Sequence, residues 1–145
     1  MVDATEPNQF ERAGDAASAN DGDFPLRRFL GLELTGDEPG TGFANVEITG
    51  DHLNPNGVVH GAVLFALADT AMGKATMSVV DEAGVYCASI EVSLRFIRPA
   101  THGSLVAGAT VVKRGRNVVH LEARIVGDDD RLVATATGTF ALLGG

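Results

Sequence analysis

A single cysteine, Cys87, occurs in this 145-residue chain, so no internal disulfide can close and a reducing compartment is the natural setting. Basic residues are scarce as well: 11 stand against 19 acidic ones, and Lys74 and Lys113 are the only lysines. A nucleic-acid partner requires a basic face to meet phosphates, so that class of function is set aside. No basic stretch followed by an apolar run opens the sequence, so no secretory signal is expected and the cytoplasm is the expected compartment. Residues 1–22 nearly lack large apolar side chains and are rich in Ala, Asp, Asn and Gly. The first 23 residues carry six acids (Asp3, Glu6, Glu11, Asp15, Asp21 and Asp23) and one base, Arg12. So little apolar surface cannot offset the entropy of ordering, and a disordered acidic tail is expected over 1–22. The length leaves room for one domain, over 23–145, and no internal repeat argues otherwise.

What remains is a sequence of well-marked elements. Pro25 sits at a first helical position, Leu26, Phe29 and Leu30 are spaced along one face, and Gly31 follows, which predicts a short helix. Leu32–Thr35 and Gly42–Thr49 alternate apolar with polar around a Gly36–Gly40 turn, and two strands of a hairpin are expected. From Gly61 to about Val80 the apolar residues nearly encircle a helix, which predicts a buried one. A membrane span is disfavoured because Asp69 and Lys74 lie near its middle, where each would cost about 2.5–3.5 kcal/mol. Four further alternating runs follow: Tyr86–Arg98, Ser104–Arg114, Val118–Val126 and Leu132–Leu142. In the first, strict alternation puts Ile90, Val92, Leu94 and Phe96 on one face, with Ser89, Glu91, Ser93 and Arg95 on the other. Short turns at Gly115–Asn117 and Asp128–Asp130 make the sheet antiparallel. The predicted class is α+β, an antiparallel sheet curled around one long central helix.

The stretch from His52 to Met72 concentrates the chemistry. A loop, His52-Leu-Asn54-Pro-Asn-Gly57-Val-Val-His60, runs into the long helix at Gly61, and Asp69 interrupts the apolar helix eight residues later. Asn-Pro-Asn-Gly is good turn chemistry by itself. A carboxylate among alanines and leucines is harder to dismiss: pairing with Lys74 is its plain structural reading, but desolvated carboxylates concentrate at functional sites. His52 and His60 stand eight apart with no cysteine pair and no H-E-x-x-H arrangement, so no metal is expected.

The spacing His52-x-Asn54-x-x-Gly57-x-x-His60-Gly61 followed by Asp69, with Arg98-Pro99-Ala100 ending the next strand, resembles the hotdog-fold acyl-CoA thioesterases of the phenylacetic-acid-degradation (PaaI-like) type over roughly residues 25–143. Ala62 departs from that family's usual His-Gly-Gly, a small change. The resemblance implies hydrolysis of an acyl or aryl-acyl CoA thioester, with CoA entering as part of the substrate and no separate cofactor. Thioester hydrolysis passes through an oxyanion, which the Gly61 amide at a helix N-terminus is suited to hold. Asn54 would donate to the same oxygen or to water, His60 would fix the loop or assist polarisation, and Asp69 would be general base or nucleophile. By the same resemblance Ser89 would orient the water, although strict alternation turns it away from its own helix. Gly57, Leu64, Phe65 and Ala68 are expected at the substrate pocket, and Arg98 and Arg116, with Arg95, Lys113 and Arg114 behind them, are candidates for the CoA phosphates. Eight residues of helix span about 12 Å, more than an Asp side chain can bridge. If both groups act on one thioester, Asp69 must meet Gly61 and Asn54 of a second subunit, so a homodimer with shared sites is expected, extendable to a tetramer. Two alternatives are weaker. A hydratase of the same fold would need a histidine where Asn56 stands, and a non-catalytic acyl-CoA sensor would need a DNA-binding region that the lead segment is too acidic to supply.

Overall fold

The computed structural model describes residues 22–145, so the expected tail lies outside the described residues apart from Gly22. Helix α1 (Pro25–Leu30) begins on its proline and stops at Gly31, whose left-handed φ of 75° turns the chain so that its N–H and that of Leu32 donate back to the Arg28 and Arg27 carbonyls. Strands β1 (Glu33–Thr35) and β2 (Thr41–Glu47) form the expected hairpin. A long helix, α2 (Gly61–Met77), is followed by β3 (Val85–Phe96), β4 (Ser104–Arg114), β5 (Val118–Gly127) and β6 (Leu132–Gly144). All strand pairs are antiparallel and the order is β1-β2-β4-β5-β6-β3, the α+β architecture expected. No helix among the described residues is long and apolar enough to cross a membrane.

Side-chain size along the inner face sets how closely the sheet wraps the helix. β2 turns Gly42, Ala44 and Val46 inward. A Cβ at Gly42 would lie 2.5 Å from the Ala71 carbonyl oxygen and 2.6 Å from the Ala75 nitrogen, so only glycine admits this approach. On β6, a Cβ at Gly138 would overlap the Met72 sulfur. Leu105, Val119, Leu121 and Ile125 close the core against the fully buried Leu67 and Met72 of α2. Each such large side chain contributes about 1.5–3 kcal/mol by leaving water.

Three expectations need correction. The helix ends at Met77 rather than near Val80, because the Ser78 hydroxyl donates to the Ala75 carbonyl and the chain then closes in tighter turns, Val79 N–H to Thr76 and Val80 N–H to Met77. Nor is α2 covered all round: Ala62, Phe65, Ala66, Asp69, Thr70, Gly73 and Met77 form a stripe that the sheet leaves half-buried or exposed. The sheet ends alongside this stripe at its edge strand, the twelve-residue β3.

The third correction concerns β3 itself. Ser89 pairs with Phe140 but Glu91 pairs with Thr139, so Ile90 is an extra residue in a β-bulge and the alternation changes phase there. Cross-strand partners share a face, and Phe140 is buried, so Ser89 points toward the helix rather than away from it. Beyond the bulge Val92, Leu94 and Phe96 face the helix side, opposite Gly138, Ala136 and Ala134, while Ile90 is 60% exposed.

Candidate functional site

The loop before α2 is held by three side chains whose bonds are made within the chain. Thr49 begins a 3-10 turn, Gly50–His52, in a capping box with the ring of His52. Nδ1 of the buried His52 accepts from the Thr49 N–H at 2.9 Å, which leaves the proton on Nε2 to donate to the Leu30 carbonyl at 2.8 Å. Both ring nitrogens are therefore committed to tying the loop to the end of α1. Asn54 uses its carbonyl oxygen as a turn anchor, accepting from the Asn56 N–H at 2.9 Å and the Val58 N–H at 3.2 Å. That orientation is forced, since both partners are donors, and it leaves the Asn54 amide NH2 directed away from the turn. Gly57 closes the same turn at a φ of 79° and donates to the Asn54 backbone carbonyl.

His60 is the N-cap of α2, and its Nδ1 accepts from the Ala62 N–H at 2.9 Å while its carbonyl accepts from the Val63 N–H. Of the first three amides of the helix, two are thus satisfied, and that of Gly61 meets no acceptor among the described residues. An open N–H at the positive end of a seventeen-residue helix is a ready seat for a developing oxyanion. It opens on a cleft of about 370 Å³ lined by Asn54, Gly61, Leu64, Phe96, Arg98 and Ala100, among others. The structure so brings together Asn54, Gly61, Leu64 and Arg98, and adds Phe96, whose ring lies against the Gly61 backbone.

Asp69 belongs to a different place, eight residues or about 12 Å along α2 and not among the lining of that cleft. It lies on the uncovered stripe beside the first half of β3. Burial pushes its carboxyl above the ordinary aspartate range, and the Ser89 hydroxyl partly offsets this by favouring the charged form. Its Oδ1 is buried and has no hydrogen-bond partner. No ion pair joins it to Lys74 among the described residues, which removes the plain structural reading of this carboxylate. Cys87 adjoins the same spot, its Sγ 3.9 Å from the Gly73 carbonyl; burial and then the Asp69 carboxylate push its thiol up to about 11.

Other predicted residues scatter. Phe65 is 42% exposed on the uncovered stripe, and Ala68 is buried in the core beneath it. Arg116 lies at the β4–β5 turn, where its carbonyl accepts from Arg114, which in turn pairs with Glu82 at 3.0 Å. That is the end of the molecule away from Gly61, so Arg98 and Arg116 do not converge within one chain. Arg95 is on the outer face of the sheet with Arg124 and Thr135. No group of three or more potential metal ligands occurs among the described residues. Phe96 and Cys87 entered the site unpredicted, for only the bulge aligns both with α2.

Comparison with known proteins bears on this arrangement. A family model described as the thioesterase superfamily matches residues 56–134. The chain is 32% identical over 137 residues to an Archaeoglobus fulgidus protein named "Putative esterase", covering 94% of this chain and 84% of that one. Among solved structures, the E. coli PaaI protein from the phenylacetic acid degradation operon superposes with a TM-score of 0.78 at 26% identity, over 92% of this chain and 93% of that one. A mutant of the phenylacetic acid degradation protein PaaI from Thermus thermophilus gives 0.75 at 28% identity, over 83% of this chain and 100% of that one.

Proposed function

The chain belongs to the thioesterase superfamily, with the hotdog fold of its relatives, and is a thioester hydrolase; from that premise we propose that it cleaves acyl-CoA to a free acid and CoA at sites shared by two copies. The thioester carbonyl lies over the Gly61 N–H, with the Asn54 amide donating to the same oxygen. Asp69 of the partner subunit takes a proton from water as the water oxygen bonds to the carbonyl carbon. The oxyanion is held by Gly61 and Asn54 until it collapses, the carbon–sulfur bond breaks, and the leaving thiolate takes the proton back from Asp69. Arg98, at the cleft wall, pairs with a CoA phosphate. The reaction needs no cofactor of its own, and the cytoplasm is the compartment proposed, in keeping with one free cysteine.

One observation carries this reading. Asp69 has a buried, unpartnered Oδ1 on an uncovered helix stripe, about 12 Å from the open Gly61 amide. Water-activation suits such an oxygen, with the Ser89 hydroxyl beside it to orient the water. A second copy suits the stripe, and the free edge of β3 offers twelve residues of backbone to pair with its own copy. The test is a panel of aryl- and alkyl-acyl-CoA thioesters assayed for thiol release, with sedimentation of the same sample. Turnover by a species no larger than one chain would overturn the shared site, and no turnover of any CoA thioester would overturn the choice of substrate.

A further inference from the structure

Phe96, like its neighbour Ile97, is a large apolar side chain at the amino-terminal cleft that serves no core. It is 61% exposed at the end of β3, yet its ring is the nearest neighbour of Gly61: a Cβ on that glycine would lie 3.0 Å from the ring Cζ and 3.2 Å from Cε1. Phe96 faces this side of the sheet with Val92 and Leu94, opposite Ala134, and the bulge at Ile90 brings Ser89 onto the same face. The ring lines the same cleft as the open amide, Asn54 and Arg98, so a thioester seated between the arginine and the amide shares that cleft with the ring.

We propose that Phe96 is a positioning residue for the thioester, a movable aromatic wall that rests on Gly61. Incoming substrate turns it aside, and it then holds the carbonyl over the Gly61 N–H. Its own chain leaves the side chain largely uncovered, while β3 fixes its point of attachment. This rests on the reading of Gly61 as the oxyanion seat, and it assigns the glycine a second requirement: a side chain there would collide with the wall, although the N–H itself would survive.

A double-mutant cycle on the full chain tests both statements, with wild-type acyl-CoA turnover as the reference. Phe96→Ala is expected to lower kcat about tenfold with KM changed far less, as for a misplaced reacting group, and Phe96→Leu to recover most of the loss. Gly61→Ala is expected to be strongly impaired, and Phe96→Ala in that background to restore activity rather than lower it further. Independent, additive losses would overturn the proposal, as would a Phe96→Ala defect that merely tracks a lowered melting temperature. A wild-type protein inactive on every thioester would instead refute the functional reading beneath it.

Discussion

The two ends of the candidate site are carried by one helix, yet they differ in how far their own chain completes them. At the amino end His52, Asn54 and His60 spend their acceptors on named backbone donors, so the loop is rigid and one amide is left open. At the carboxylate end Oδ1 of Asp69 is buried without a partner and its proton affinity is raised. On the proposed reading the first is a receptor for a negative oxygen that its own chain completes, and the second is an unfinished site that costs stability until water, substrate or another subunit satisfies it. The difference separates preorganisation from stored reactivity, and each can be broken independently.

The largest expected effect is at the unfinished end. Asp69→Asn should lower kcat by about 10²–10⁴-fold, the range for a general base. The same variant should melt higher than wild type near neutral pH. A carboxyl whose folded-state pKa lies above its unfolded value binds its proton more tightly when folded, so stability falls as pH rises through that range and the neutral amide escapes the loss. The two melting curves should converge in acid; an Asn variant that melts lower at neutral pH would show that the charge is compensated after all.

Next in size is complementation between the two ends. Asn54→Asp keeps the turn-anchoring oxygen and removes the amide donor, so it should be inactive but folded. Mixed in equal amounts with Asp69→Asn and allowed to exchange subunits, it should recover up to about a quarter of wild-type activity, because half the dimers carry one intact shared site of two. Failure to recover any activity, with exchange demonstrated, would place both groups in a single-chain site.

Smaller effects sharpen the comparison. Arg98→Ala should raise KM for acyl-CoA about tenfold, the worth of one charge-assisted contact, and leave the N-acetylcysteamine thioester of the same acid unaffected. Arg116→Ala should change KM less. Ser89→Ala removes the bond that favours ionised Asp69, so the acidic limb of kcat/KM, already above the ordinary carboxylate range, should move to higher pH, and the plateau should fall as the water loses its orienting hydroxyl. A limb that stays put would mean that Ser89 does not bear on the carboxylate.

Most of the architecture was legible because the local signals agree: Pro25 and Gly31 bracket α1, alternation marks the strands, and glycine- or aspartate-rich turns join them. Asn54, Gly61 and Asp69 stood out because a turn, a helix start and a desolvated charge each have a physical signature. The bulge at Ile90 has none. Ser-Ile-Glu reads as unbroken alternation, and only pairing with β6 reveals the added residue and sends Ser89 inward. The uncovered stripe was concealed for another reason: Ala62, Phe65, Ala66 and Met77 have core composition, and composition does not tell burial by one's own sheet from burial by another chain. Arg98 and Arg116 looked alike as basic residues at strand ends, and their separation depends on strand lengths and order.

Gly42 bears on all of this mechanically. Its missing side chain lets β2 touch the Ala71 and Ala75 backbone, and the helix behaves like a keyed shaft: sliding or turning it would drive peptide atoms into the strand. Asp69 is two residues from that key. Within each chain the carboxylate and the open amide are thus held at a fixed spacing, and on the proposed reading tolerance for different acyl groups falls to side chains such as Phe96, Leu64 and Phe65 instead of to sliding of the helix.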